Sequence, residues 1–170
     1  NMPRSSFKVT SATTAEGWLE KDGQSMLAGW THRFFVLDSK TQTLKYYENE
    51  QKKKEHEKGS YTFNKNSKVT LKAKTSDGHA FQFEIRGRHN GAEANLMMSA
   101  DSVEIRNKWK LALDTAARGE PLVESVIVQE AIDFIAEEEA AVCGFCASIF
   151  SFCSAEEKKL EREADRAINR

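Results

Sequence analysis

From Gly17 to Ser99 the chain is a succession of short β-type runs, each closed by residues that favour turns, and only after them does the pattern become helical. Such spacing constrains the fold to an all-β barrel or sandwich rather than alternating strands and helices. Seven strands are predicted, at Gly17–Lys21, Trp30–Asp38, Thr43–Glu48, Gly59–Phe63, Val69–Ala73, Ala80–Arg86 and Ala94–Ser99. Asp22-Gly23, Asp38-Ser39, Lys58-Gly59, the stretch Asn64 to Ser67, Asp77-Gly78 and Asn90-Gly91 supply the turn chemistry between them.

The helical pattern follows Asp101 and Ser102, which offer an N-cap, runs through Val103, Asn107, Trp109, Leu111 and Leu113, and stops before Gly119 and Pro121. One amphipathic helix is thus expected to close the sheet. A second helical period begins after Pro121, with Val123, Ile127, Ala131, Phe134, Ala141, Phe145, Ile149 and Phe152 near one face and glutamates on the other. Residues 1–15 are small and hydroxylated, without apolar periodicity, and are expected to be a flexible leader. The expected organisation is that leader, a mainly β domain over 16–118, and an acidic helical extension over 119–170.

Charge divides the chain at the same place. Residues 1–118 carry 20 basic and 14 acidic groups, residues 119–170 carry 5 and 12, so a domain of net charge plus 6 precedes an extension of minus 7. A basic domain suits an anionic partner, and the extension does not. No basic segment followed by an apolar run marks a secretory signal, so a cytoplasmic protein is expected. Ala140 to Cys153 is apolar for only 14 residues, short of the roughly 20 that cross a bilayer.

Three cysteines, Cys143, Cys146 and Cys153, are confined to that stretch and do not form a disulfide framework. Cys143 and Cys146 have the spacing of a redox pair but follow an acidic helix rather than a strand. All four histidines lie before Gly91, far from the cysteines along the chain, so neither metal nor cofactor is expected. The three fall on one side of the helical wheel beside Phe145, Ile149 and Phe152, which makes them candidate acylation sites. The apolar stripe itself could pack on the barrel, self-associate, meet a protein partner or insert in a membrane.

Gly17-Trp18-Leu19-Glu20-Lys21 and the segment Trp30-Thr31-His32-Arg33-Phe34-Phe35-Val36-Leu37 resemble the G-W-L-x-K and W-x-x-R-x-F-x-L motifs that open pleckstrin homology (PH) domains. Leu44-Lys45-Tyr46-Tyr47 resembles the third strand of that family, and Trp109 the tryptophan of its closing helix. The resemblance spans about 100 residues. It implies a seven-stranded, bent antiparallel barrel capped by a C-terminal helix, with Trp18, Trp30, Phe34, Val36, Leu44 and Trp109 as core and rim.

The same resemblance implies a non-enzymatic module at the cytoplasmic face of membranes, whose partners are anionic phosphoinositide lipids and not nucleic acid. Its candidate ligand residues are Lys21, Arg33 and Tyr46, with Thr31 where strong binders carry a second cation. Fixed cations suit phosphates because charge-assisted hydrogen bonds are short and strong, and arginine presents a two-pronged donor. A secondary basic face is expected from Lys52, Lys53, Lys54, Lys72, Lys74 and Arg86, with Lys58, Lys65, Lys68 and Arg88 near it. The reading from a different class is a protein-interaction module with no lipid specificity, using the barrel or the C-terminal helix.

Overall fold

A computed structural model describes residues 5–23, 29–72 and 78–136. Eight strands form one antiparallel sheet: β1 (Lys8–Ser11), β2 (Thr14–Lys21), β3 (Thr31–Asp38), β4 (Thr43–Tyr47), β5 (Glu57–Thr62), β6 (Val69–Leu71), β7 (Phe81–His89) and β8 (Ala92–Ala100). The sheet closes because β8, the last strand, pairs with β2, placing Met98 opposite Lys21 and Ser99 opposite Glu20. Helix α1 (Val103–Ala117) follows directly. The architecture is the expected capped barrel, with one strand more than predicted.

The extra strand lies in the segment expected to be a flexible leader. Lys8 pairs with Glu16 and Val9 with Ala15, so β1 follows the half of β2 that β8 does not reach. Ahead of it, Ser6 donates its N–H to Trp18 O at 3.0 Å, and the Phe7 ring meets the edge of Trp109 with centroids 5.2 Å apart. Period-based reading misses this strand because β1 is only four residues long and alternates mostly exposed side chains. Its fixing contacts are backbone hydrogen bonds, which composition does not advertise.

Gly17 is what lets the segment lie so close. A Cβ there would come within 2.1 Å of Ser6 O. Gly17→Ala is therefore expected to cost about 1–3 kcal/mol through overpacking, read as a lower urea midpoint; a variant as stable as the parent would mean that the seam does not hold the barrel shut.

Alternation along β2 sends Ala15, Gly17, Leu19 and Lys21 inward and leaves Trp18 half-buried on the outer face. Phe35, Leu37, Leu44, Phe83, Ile85, Leu96 and Met98 complete the interior, and Trp109, fully buried, plugs it from α1. The Trp109 indole N–H donates to Ser6 O at 2.9 Å, so the plug also holds the N-terminal seam. Of the residues expected in the core or rim, Phe34 is buried but on the outer face, where Trp18 and Val36 are half-buried beside it. Trp18 packs edge-on to Phe34 there and donates its indole N–H to Glu50 Oε1 at 2.6 Å, which folds the segment after β4 over these rings.

The hairpin from β7 to β8 runs further than predicted, because Asn90 and Gly91 both take positive φ, 52° and 82°, and a two-residue turn of that kind continues the ladder up to His89 and Ala92. Ser102 caps α1 by accepting the Ile105 N–H at 3.2 Å, and Gly119, at φ 73°, terminates it.

Past Gly119 the chain turns back on the barrel. Leu122 donates its N–H to Ala12 O at 2.7 Å, residues 124–136 are helical, and Leu122 and Ile127 join the core. The predicted stripe is buried at Ile127 and Ala131 but not at its first position: Leu122 is buried, whereas Val123 is 46% exposed. The compact unit ends at Ile132. No described helix is long and apolar enough to cross a membrane. Cys143, Cys146 and Cys153 lie outside the described residues.

Candidate functional site at the barrel mouth

By strand sense three hairpin connections leave the barrel at one end, where β2 meets β3, β4 meets β5 and β7 meets β8. Register fixes what faces inward there. Lys21 lies opposite Thr31, Leu19 opposite Arg33, and Phe35 opposite both Gly17 and Tyr46. Because cross-strand partners share a face, Lys21, Thr31, Arg33 and Tyr46 all point into the mouth above the apolar core. The structure thus brings together the four residues that sequence motifs singled out.

Lys21 is 9% exposed, and its Nζ donates to the Asp22 carbonyl at 2.9 Å and lies 5.4 Å from the centre of the Tyr46 ring. Arg33 Nη1 donates to the His32 carbonyl at 2.7 Å. Thr31 Oγ1 donates to the Lys21 carbonyl at 3.4 Å. Burial pushes the Lys21 ammonium below the ordinary lysine value, a shift that Asp22 opposes and Arg33 reinforces. Burial likewise raises the Tyr46 phenol, with Tyr61 adding and Arg33 opposing, so Tyr46 remains a neutral hydroxyl at neutral pH.

One acidic neighbour went unpredicted. The hydrogen bond and charge of Lys58, 3.1 Å away, hold the Glu48 carboxyl below its ordinary value, and Arg33 contributes in the same direction. Glu20, on the outer face of β2, is bonded to His79 at 2.6 Å and lies 3.8 Å from His32, while Trp30 stacks on His79. These contacts join residues up to 59 apart along the chain, and no local spacing signals them.

The expected secondary basic face is not a single face of free cations. Lys52 pairs with Glu16 at 2.7 Å and Lys72 with Glu84 at 2.8 Å. Lys53 and Lys54 are exposed beside the β4–β5 connection, and Arg86 is exposed on β7. Lys74 lies outside the described residues. Among the described residues no group of histidines, cysteines and carboxylates could hold a metal ion.

The chain matches the PH domain family over residues 13–118. Among solved structures it is similar to the PH domain of human oxysterol binding protein-related protein 11, with TM-score 0.50, 22% identity, and coverage of 64% of this chain and 82% of that one. It is also similar to the PH domain of human pleckstrin homology domain-containing protein family A member 5, with TM-score 0.45, 24% identity, and coverage of 69% and 87%. At these identities the likeness to the first concerns the fold. No curated protein sequence matches the chain. With the match extending over more than half of the sequence and the capped barrel in place, the chain belongs to the PH domain family, whose members are non-catalytic modules that commonly mediate lipid or protein interaction.

Proposed function

We propose that the barrel mouth binds the phosphorylated headgroups of phosphoinositides, making this domain a non-enzymatic adaptor that holds its chain at anionic cytoplasmic membranes. The observation that supports this best is a charge imbalance. Arg33 sits close enough to Lys21 to disfavour its charged form, and each donates to a backbone carbonyl rather than to a carboxylate. Lys45, Lys52, Lys58 and Lys72 each have a carboxylate partner. Confining two like charges in a half-buried mouth costs free energy, and a bound phosphate offsets that cost.

In this reading Lys21 and Arg33 donate charge-assisted hydrogen bonds to phosphate oxygens, and the neutral Tyr46 hydroxyl donates beside them. Thr31 supplies a short hydroxyl already engaged with the Lys21 carbonyl. Lys53 and Lys54, on the neighbouring connection, add attraction toward an anionic leaflet, at about 1 kcal/mol per basic residue near the surface. Glu48 opposes the headgroup at the rim.

Thr31→Arg is expected to restore a second cation on the inward face of β3 and to strengthen binding of soluble inositol polyphosphates by about 1.5–3 kcal/mol in calorimetric titration. A panel of vesicles at fixed salt tests the function itself. Phosphoinositide vesicles are expected to bind the domain and neutral phosphatidylcholine vesicles not to; equally poor binding to both would favour a module that recognises protein alone.

A further inference from the structure

A second feature on the outer face of the barrel is independent of the mouth. Strand β7 changes neighbours along its length: Ile85 pairs with Val69 of β6, whereas Arg88 pairs with Thr62 of β5. Between these points residues 63–68 form a connecting turn, leaving a groove beside Arg86 and Gly87. Two adjoining hollows of about 290 Å³ each share Asn66 and Arg86.

The hydrogen-bonding capacity left free in this groove is weighted toward donors. The Asn64 side chain accepts the Asn66 N–H through Oδ1 at 2.9 Å, which leaves its NH₂ group free to donate. Ser67 Oγ accepts the Asn64 N–H at 3.1 Å, which leaves the hydroxyl hydrogen available. Arg86 and Arg88, two apart on one strand face and both exposed, have no hydrogen-bonding or ionic partner among the described residues. Lys68 lines the same groove.

Two carboxylates also line it. Glu84 is held by Lys72 at 2.8 Å, and Glu93 lies opposite Arg88 in register without forming an ion pair. Three free cations against one free carboxylate leave about two positive charges, which match a phosphomonoester carrying about 1.5 to 2 negative charges at pH 7. We propose that this groove is a phosphomonoester site, with Arg86, Arg88 and Lys68 supplying charge and Asn64 and Ser67 supplying neutral donors.

Its position on the sheet face sets it apart from the mouth. Phe83, Met98 and Lys21 form one cross-strand row, and Arg86 and Arg88 lie three and five residues further along β7. At about 3.3 Å per residue they sit roughly 10 and 17 Å along β7 from that row, toward the β7–β8 turn. Their side chains project from the sheet face, whereas the mouth opens along the strands.

The test is an amide chemical-shift titration of the 170-residue chain with inorganic phosphate and with O-phosphoserine at constant ionic strength. Saturating shifts are expected at residues 64–67 and 86–88. Arg86→Gln with Arg88→Gln is expected to weaken binding by at least about tenfold, as loss of one charge-assisted contact alone would, and Glu93→Gln to strengthen it. Removing the mouth cations leaves it unchanged. Absence of saturation at these amides, shifts reproduced by chloride, or indifference to the arginine substitutions would overturn the site. Vesicles separate the ligand sources: if a chain without mouth cations still binds phosphoinositide vesicles and loses this with Arg86 and Arg88, the site stands but its ligand is a lipid headgroup.

Discussion

Lys21→Met combined with Arg33→Gln is expected to weaken binding to phosphoinositide vesicles by about 100-fold or more, since two charge-assisted contacts worth about 1.5–3 kcal/mol each disappear together. Stability is expected to move the other way. Burial depresses the folded-state pKa of Lys21, so the folded barrel holds that proton less firmly than the unfolded chain does. The resulting penalty is fully present below the lowered pKa and fades as pH rises through it toward the ordinary lysine value. Methionine removes that penalty. A thermal midpoint at or above that of the parent, with binding lost, is the expected pair of results. Undiminished binding would dismiss the mouth as the lipid site, and a collapsed midpoint would mean that the two cations hold the barrel together.

Ending the chain at Gly119 is expected to remove about 3–6 kcal/mol of stability, because Leu122 and Ile127, 2% and 3% exposed, leave the core and each such side chain contributes about 1.5–3 kcal/mol on burial. That is a large share of the roughly 5–15 kcal/mol that stabilises a domain. A chain ending at residue 136 keeps both contacts and the Leu122 bond to Ala12, and is expected to unfold at the parental urea concentration. Comparing the two by urea unfolding isolates the contribution of the returning segment. Equal midpoints would show that these side chains pack without stabilising.

The barrel was legible because its information is local and periodic. Alternation in β2 and β3, turn residues at hairpins and the Ser102 cap each specify geometry within a few residues. The convergence of Lys21, Thr31, Arg33 and Tyr46 followed from strand order once the family motifs set the register. What stayed hidden depends on distant partners. The seam strand is chosen by backbone groups of β2, and the neutralisation of Lys52 by Glu16 spans 36 residues. The outward sense of Trp18 was hidden for another reason: aromatic content suggested burial, and a covering segment satisfies it on the outside.

The N-terminal seam is held mainly through main-chain atoms: Ser6 N–H to Trp18 O, the Trp109 indole to Ser6 O, and the β1 ladder. Divergence should therefore act unevenly on it. Exchanges of exposed side chains such as Lys8 and Thr10 leave every one of those bonds intact. Loss or gain of a single residue between Phe7 and Ser11 does not, since the tight turn at Ala12 and Thr13 anchors one end and a one-residue slip reverses the facing of the strand, taking the Phe7 ring away from Trp109. Among related chains this stretch is expected to vary freely in letter and hardly at all in length.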